Sequence, residues 1–144
     1  RIRAARIRTG KYPMFESDFQ QPVTTLLLKA AGKSTISDRV YPMRFNHCEQ
    51  LKRMGADITV QNGIARINRH RKLTGTWVHA ADIRAGTALV LAGLMAEGTT
   101  RITGVEHIER GYEDIVRDFR QLGADVSLVA DSGQETGEAM MLDI

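Results

Sequence analysis

At 144 residues, with 42% hydrophobic and 26% charged side chains, the chain is long enough for a sizeable core and too apolar to be a disordered tail. Its formal charge of +3, with acids interspersed among bases, describes an ordinary mixed surface that leans only weakly toward anionic ligands. A single cysteine, Cys48, excludes an internal disulfide and fits a reducing compartment; no apolar run reaches the ~20 residues that span a bilayer and no signal-peptide pattern is present, so a cytoplasmic setting is expected.

Residues 1–9 alternate Ile2, Ala4 and Ile7 with arginines, which predicts an edge strand with one solvated face. That strand is entered midway, without an initiator Met, so the chain is expected to be a fragment of a longer protein. Residues 11–16 read as an irregular loop. Ser17 is suited to cap a helix reaching about Ala31, in which Pro22 is tolerable only because it lies near the first turn; Gly32 stops it. A short strand over 34–38, a loop over 40–45 and a second helix to about Met54, closed by Gly55, follow. Residues 57–60 and 64–68 flank Asn62-Gly63 and predict a hairpin with a tight primed turn. The predicted order is strand, helix, strand, helix, strand, strand.

Arg69-His70-Arg71-Lys72 opens a linker over 69–75, most simply a solvated connection, with a phosphate or nucleic-acid contact as the alternative. Beyond it the pattern runs again: a strand at Trp77-Val78, a helix over 82–96, a strand over 99–105, a helix over 112–122, then strands over 126–129 and 140–142. Asp131-Ser132-Gly133 marks the last turn.

The recurrence is visible in the residues. At an offset of 64, Ser17-Asp18-Phe19-Gln20 falls on Ala81-Asp82-Ile83-Arg84; at 66, Ala30 to Ile36 falls on Ala96 to Ile102 and Arg44 on Arg110; at 68, Leu51 to Ile58 falls on Phe119 to Val126. The chain therefore reads as two copies of one α/β unit, β-α-β-α-β-β, over 1–68 and 76–144, around buried helices. Each copy presents an aspartate before a buried helix and an arginine before the next. The apolar, small-residue run from Ala85 to Gly93 carries its charges, Asp82 and Arg84, at its mouth. Such charges are costly to bury without partners, so they are a structural ion pair or part of a ligand site.

Other chemistry is poorly supported. Ala31-Gly32-Lys33-Ser34-Thr35 resembles the end of a phosphate loop, but position 27 is leucine where a glycine is needed, and a helix precedes it where a strand should. Cys48 beside His47 in a helix does not make an activated pair, because adjacent helical residues do not face each other. His79 and His107 lack partners at metal spacing, and neither metal nor cofactor is expected. Arg110, in Glu109-Arg110-Gly111-Tyr112, is expected at a glycine-flanked helix start, where backbone N–H groups and its guanidinium fork would both favour an anion. An aspartate beside such arginines is favoured in its ionised, proton-accepting form. Interdomain salt bridges are the plain alternative.

At these same residues the sequence resembles the enolpyruvyl transferases, and among them those acting on UDP-N-acetylglucosamine. The matching stretches are residues 15–21, Arg44-Phe45-Asn46-His47, 51–56, 81–85, 89–100 and His107-Ile108-Glu109-Arg110-Gly111-Tyr112. The resemblance implies a prism-like, inside-out barrel of repeated units, of which this chain would be part of a C-terminal domain closing on an N-terminal one over the substrates. It implies that phosphoenolpyruvate and UDP-N-acetylglucosamine are those substrates. Asp18 would accept the sugar hydroxyl proton, the main chain at Val40 would touch the sugar nucleotide, Arg84 and Arg110 would hold phosphoenolpyruvate with Arg44 nearby, and Asp82 would lie at the reacting centre. The family's loop cysteine and its lysine belong to the other domain, and Cys48 is not that cysteine, so this chain alone is expected to turn nothing over. A basic RNA-binding module of related repeat fold is the competing expectation; the leading one involves no nucleic acid and no membrane.

Overall fold

The chain alternates strand and helix as its periodicity predicts, with one helix more. A computed structural model describes residues 2–130 and 140–144. The first unit contains β1 (Arg6–Arg8), a 3-10 turn (Ser17–Phe19), α1 (Gln20–Leu27), β2 (Ser34–Ser37), α2 (Asn46–Arg53), β3 (Asp57–Gln61) and β4 (Ile64–Arg69). The second contains β5 (Trp77–His79), α3 (Ile83–Met95), β6 (Arg101–Thr103), α4 (Val105–Glu109), α5 (Ile115–Gln121), β7 (Ser127–Ala130) and β8 (Met140–Asp143).

Each unit builds a four-stranded sheet, ordered β1-β2-β4-β3 in one and β5-β6-β8-β7 in the other. In both, the first pair is parallel and the other two antiparallel. The internal repeat in the sequence is thus a repeat of topology. Register sets the core: Ile36 faces Ile7 and Ala65, and in the second sheet Ile102 faces Val78 and Leu142, with Ile36, Ala65, Ile102 and Leu142 wholly buried. Fully burying such an aliphatic side chain contributes about 1.5–3 kcal/mol. The β3–β4 connection is the expected primed turn, since Asn62 and Gly63 both have positive φ, 52° and 69°.

α1 and α3 pack against each other where the two units meet. Ala85, Gly86, Ala88, Ala92 and Gly93 are buried on α3, and their small size permits a close approach at which Thr25 Oγ1 donates to the Ala88 carbonyl at 3.1 Å. Asp82 starts α3 as an N-cap: its Oδ1 accepts from the backbone N–H groups of Arg84 and Ala85 at 2.8 and 2.9 Å.

Several boundaries differ from expectation. Ser17 does not cap α1; its hydroxyl turns to Asp38, the chain passes through a 3-10 turn, and α1 begins at Gln20 and ends at Leu27. Pro22 lies in the first turn of α1, where its missing N–H costs no helical bond. The strand expected over 99–105 is only Arg101–Thr103, because Gly104 turns the chain with φ 78° into the unpredicted α4. The helix expected from Tyr112 starts at Ile115, after Asp114, whose carboxylate accepts from the Arg117 N–H. Arg110 consequently sits at the C-terminal end of α4, not at a helix start. The turn assigned to Asp131-Ser132-Gly133 lies outside the described residues.

The segment between the sheets is tied to both. Thr74 N donates to the Met54 carbonyl, Gly75 N to that of Glu97 and Glu97 N to that of Leu73, at 2.7–2.9 Å, and Leu73 is buried. Among the described residues no helix is long and apolar enough to cross a membrane.

Candidate functional site

The fold brings one aspartate and two arginines from three separate segments to one open cleft. Asp18, in the turn before α1, presents a carboxylate whose Oδ1 accepts from Arg84 Nε at 2.8 Å and from Arg44 Nη1 at 3.2 Å. Arg84 comes from the first turn of α3, 66 residues away, so the site straddles the junction of the units. Asp18 is 66% exposed while Arg44 and Arg84 are 18% and 32% exposed: the acid faces solvent and the cations are held behind it.

Each arginine is seated by its neighbours. The Arg44 guanidinium lies over the Tyr41 ring at 3.7 Å, and Gln20 Nε2 donates to the Arg44 carbonyl at 2.8 Å. The backbone N–H of Arg84 is held by Asp82. The mouth of α3 is therefore not a local Asp82–Arg84 ion pair; Asp82 takes the backbone and the Arg84 side chain crosses to Asp18.

Three depressions meet here. One of about 430 Å³ is lined by Gly10, Lys11, Tyr12, Ser17, Asp18, Val40, Tyr41 and Arg84. A second, of about 490 Å³, runs from Asp18 and Arg84 past Phe19 to Thr87 and Tyr112, whose hydroxyls are 2.9 Å apart. A third, of about 410 Å³, lies between the loop over 40–46 and Asp82. Val40, Tyr41, Arg44, Asp18, Asp82 and Arg84 thus share one region. Arg110 is exposed, makes no ion pair among the described residues, and stands two residues before Tyr112 of the cleft wall.

Asp38 was not foreseen. It is buried, and its carboxylate accepts from Ser17 Oγ at 2.5 Å, Thr9 Oγ1 at 2.8 Å, and the N–H groups of Val40 and Tyr41 at 3.0 and 2.8 Å. Burial alone would raise its pKa, but the hydrogen bonds from Ser17, Tyr41, Thr9 and Val40 together outweigh it and hold the carboxyl below its ordinary value. An aspartate two and three residues ahead of loop N–H groups is the sequence sign of an Asx turn, and could have marked it.

His47 and Cys48 do approach, contrary to expectation, with Nε2 and Sγ 3.7 Å apart at the start of α2. They still form no activated pair. Burial pushes the imidazole down to about 4, partly opposed by the charge of Asp82, and pushes the thiol up to about 12. The proton stays on sulfur. Among the described residues no group of three or more metal-ligating side chains could hold an ion. The basic stretch after β4 is engaged internally: His70 Nδ1 lies 2.7 Å from the Leu28 carbonyl, Lys72 Nζ 2.6 Å from Glu97 and Arg71 Nε 3.9 Å from Asp57.

A family model described as EPSP synthase (3-phosphoshikimate 1-carboxyvinyltransferase) matches residues 1–119. The chain is 52% identical over 130 residues to a UDP-N-acetylglucosamine 1-carboxyvinyltransferase of Streptococcus pneumoniae (strain Hungary19A-6), covering 90% of this chain and 31% of that protein. It matches UDP-N-acetylglucosamine 1-carboxyvinyltransferase 2 of Streptococcus pyogenes serotype M3 (strain ATCC BAA-595 / MGAS315) at the same identity and coverage. The chain thus spans about a third of the length of these relatives. Among solved structures, the enolpyruvyl transferase NikO from Streptomyces tendae superposes with a TM-score of 0.76 at 32% identity, over 85% of this chain and 28% of that one. EPSP synthase from Acinetobacter baumannii shares the fold, with a TM-score of 0.60 at 23% identity over 88% of this chain and 28% of that one.

Proposed function

As the chain belongs to the EPSP synthase family, we propose that the protein containing it transfers the enolpyruvyl group of phosphoenolpyruvate to the 3-hydroxyl of UDP-N-acetylglucosamine. The observation that carries this reading is the solvent-facing Asp18 carboxylate backed by Arg44 and Arg84 in an open cleft. The 52%-identical relatives that bear the name of this activity support it.

In the proposed reaction the sugar oxygen bonds to the central enol carbon while a proton is added to the methylene carbon. The phosphate oxygen–carbon bond then breaks, a proton leaves the new methyl group, and the enol ether and phosphate are released. Asp18 takes the hydroxyl proton, as an acceptor within hydrogen-bond reach can. Arg84 and Arg110 hold the phosphate and carboxylate of phosphoenolpyruvate, with Arg44 beside them, since guanidinium forks match such anions and stabilise the charge that moves. Val40 contacts the sugar nucleotide through its main chain. Asp82 serves proton transfer at the methylene carbon, while its Oδ1 accepts the two capping bonds. The remainder of the site, including an N-terminal domain, comes from sequence beyond this chain. The reaction is the committing step of peptidoglycan synthesis, carried out in the cytoplasm.

Phosphate release from the two substrates, measured on the full-length protein, tests this. Asp18→Asn lowers turnover on the order of 10²–10⁴-fold without moving the urea unfolding midpoint. Near-normal turnover in that variant would remove Asp18 from the role. The chain on its own releases no phosphate, and adding the separately made remainder restores release; activity of the chain alone would refute the shared site. The basic-module reading is tested by oligonucleotide binding: it expects binding that weakens steeply with salt, and the reaction proposed here expects none.

A further inference from the structure

We propose that Asp38 is a positioning residue, whose buried carboxylate sets the distance between Asp18 and Arg44 by holding the separate segments that carry them; this rests on the reaction proposed above.

Three segments end on the one side chain. Thr9 closes β1, Ser17 immediately precedes Asp18, and Val40 and Tyr41 open the loop that leads to Arg44. Tyr41 in turn supports Arg44 twice, by its carbonyl accepting from Arg44 N at 3.0 Å and by its ring beneath the guanidinium at 3.7 Å. Asp38 itself is anchored from the other side, its N–H donating to the Gly63 carbonyl of the hairpin at 3.0 Å. The two ends of the Asp18–Arg44 contact, 26 residues apart, are thus referred to a common point.

No cation pairs with Asp38 among the described residues; neutral donors alone offset its desolvation. Burying a carboxylate is costly unless its lone pairs are filled, so the network is either complete or strongly unfavourable. Four acceptor bonds at one carboxylate give a joint that neither a threonine nor an alanine could make. Every segment it joins lines the cleft, at Gly10 next to Thr9, at Ser17 and Asp18, and at Val40 and Tyr41.

The experiment uses the full-length protein. In Asp38→Ala, kcat falls about 10²-fold, the scale of an ångström-sized misplacement of reacting groups. In Ser17→Ala, which removes one link only, the fall is roughly 10-fold. Asp38→Asn restores turnover to within about 5-fold of the wild type, because its Oδ1 keeps three bonds and its amide donates to Ser17 Oγ. In the Asp18→Asn background, Ser17→Ala costs nothing further, since its effect passes through Asp18. Wild-type kcat in folded Asp38→Ala and Ser17→Ala, equal impairment in Asp38→Asn and Asp38→Ala, or additive losses with Asp18→Asn would each overturn the assignment.

A crystal structure of Ser17→Ala gives a reading independent of catalysis and of whether Asp38→Ala folds. The Asp18–Arg44 contact, 3.2 Å in the wild type, opens beyond hydrogen-bonding distance. An unchanged contact would overturn the inference whatever the activity. A wild-type protein that releases no phosphate, with the contact opened in the variant, would overturn the reaction and leave the positioning role standing.

Discussion

His47 makes the fold sensitive to acid between about pH 6.5 and 4. Its folded pKa is depressed from 6.5 to about 4, by burial first and despite the nearby Asp82 charge. Between those values the unfolded chain binds a proton that the folded chain refuses, so stability falls as pH drops from about 6.5 and levels off below about 4. At 1.36 kcal/mol per unit this is on the order of 3 kcal/mol. Urea midpoints measured from pH 7 to 4 show this slope in the wild type, and His47→Leu flattens it; parallel slopes would remove His47 as the source. Asp38 acts in a lower window. Its folded pKa lies below 3.8, so its contribution is complete above that value and is lost as pH falls through the folded one. At this scale the sequence disclosed the identities of Asp18, Arg44 and Arg84 but not their pairing. Asp82 and Arg84 are two residues apart and read as partners, yet a helix mouth offers an aspartate backbone N–H groups at closer range. That frees the arginine to reach Asp18 across 66 residues, a choice no local pattern encodes.

Elements were legible in proportion to their periodicity. α3, with thirteen residues and a buried face of alanine, glycine, leucine and valine, declares itself; α4, with five, is too short to show a period, and only its first residue, Val105, falls in an expected element, the strand over 99–105. What makes α4 is Gly104, where β6 ends with φ 78° and the backbone passes so near Ala80 that a Cβ would stand 2.3 Å from its carbonyl oxygen. Gly104→Ala therefore costs at least about 2 kcal/mol, combining a left-handed backbone with a backbone clash. Gly98→Ala isolates the first contribution: its φ is 83° but nothing lies within 4 Å of the added Cβ, so about 1 kcal/mol is expected. Equal losses in the two variants, by urea titration, would show that the Gly104–Ala80 approach is not what fixes α4. The same logic explains Ser17. Its type suits a helix cap, in which its oxygen would accept a backbone N–H, but its hydroxyl is instead oriented to donate to the buried carboxylate of Asp38, 21 residues on.

Taken whole, the molecule is a repeated sheet topology whose two copies carry unequal loops. The repeat was readable because strand and helix patterns recur at offsets of 64 to 68. The unequal chemistry was not: Asp18 receives two arginines, whereas Asp82, its counterpart, caps a helix. The bond between copies at Asp18 and Arg84 adds little stability for an exposed pair, within about 1 kcal/mol, so the packing of α1 on α3 holds the copies together.

The stretch that joins the copies has an outcome for digestion. Trypsin cleaves after arginine and lysine, and residues 69–72 offer three such bonds, with the side chains of His70, Arg71 and Lys72 exposed. A protease must, however, draw roughly a dozen residues of extended chain into its groove, and here the downstream backbone from Leu73 to Gly75 is stitched to Met54 and Glu97. Brief native digestion should therefore spare these bonds, and cleavage should begin only in urea concentrations that unfold the whole, as followed by gel and mass spectrometry. Early separation into two stable halves would mean that the copies are joined by a tether instead of a seam.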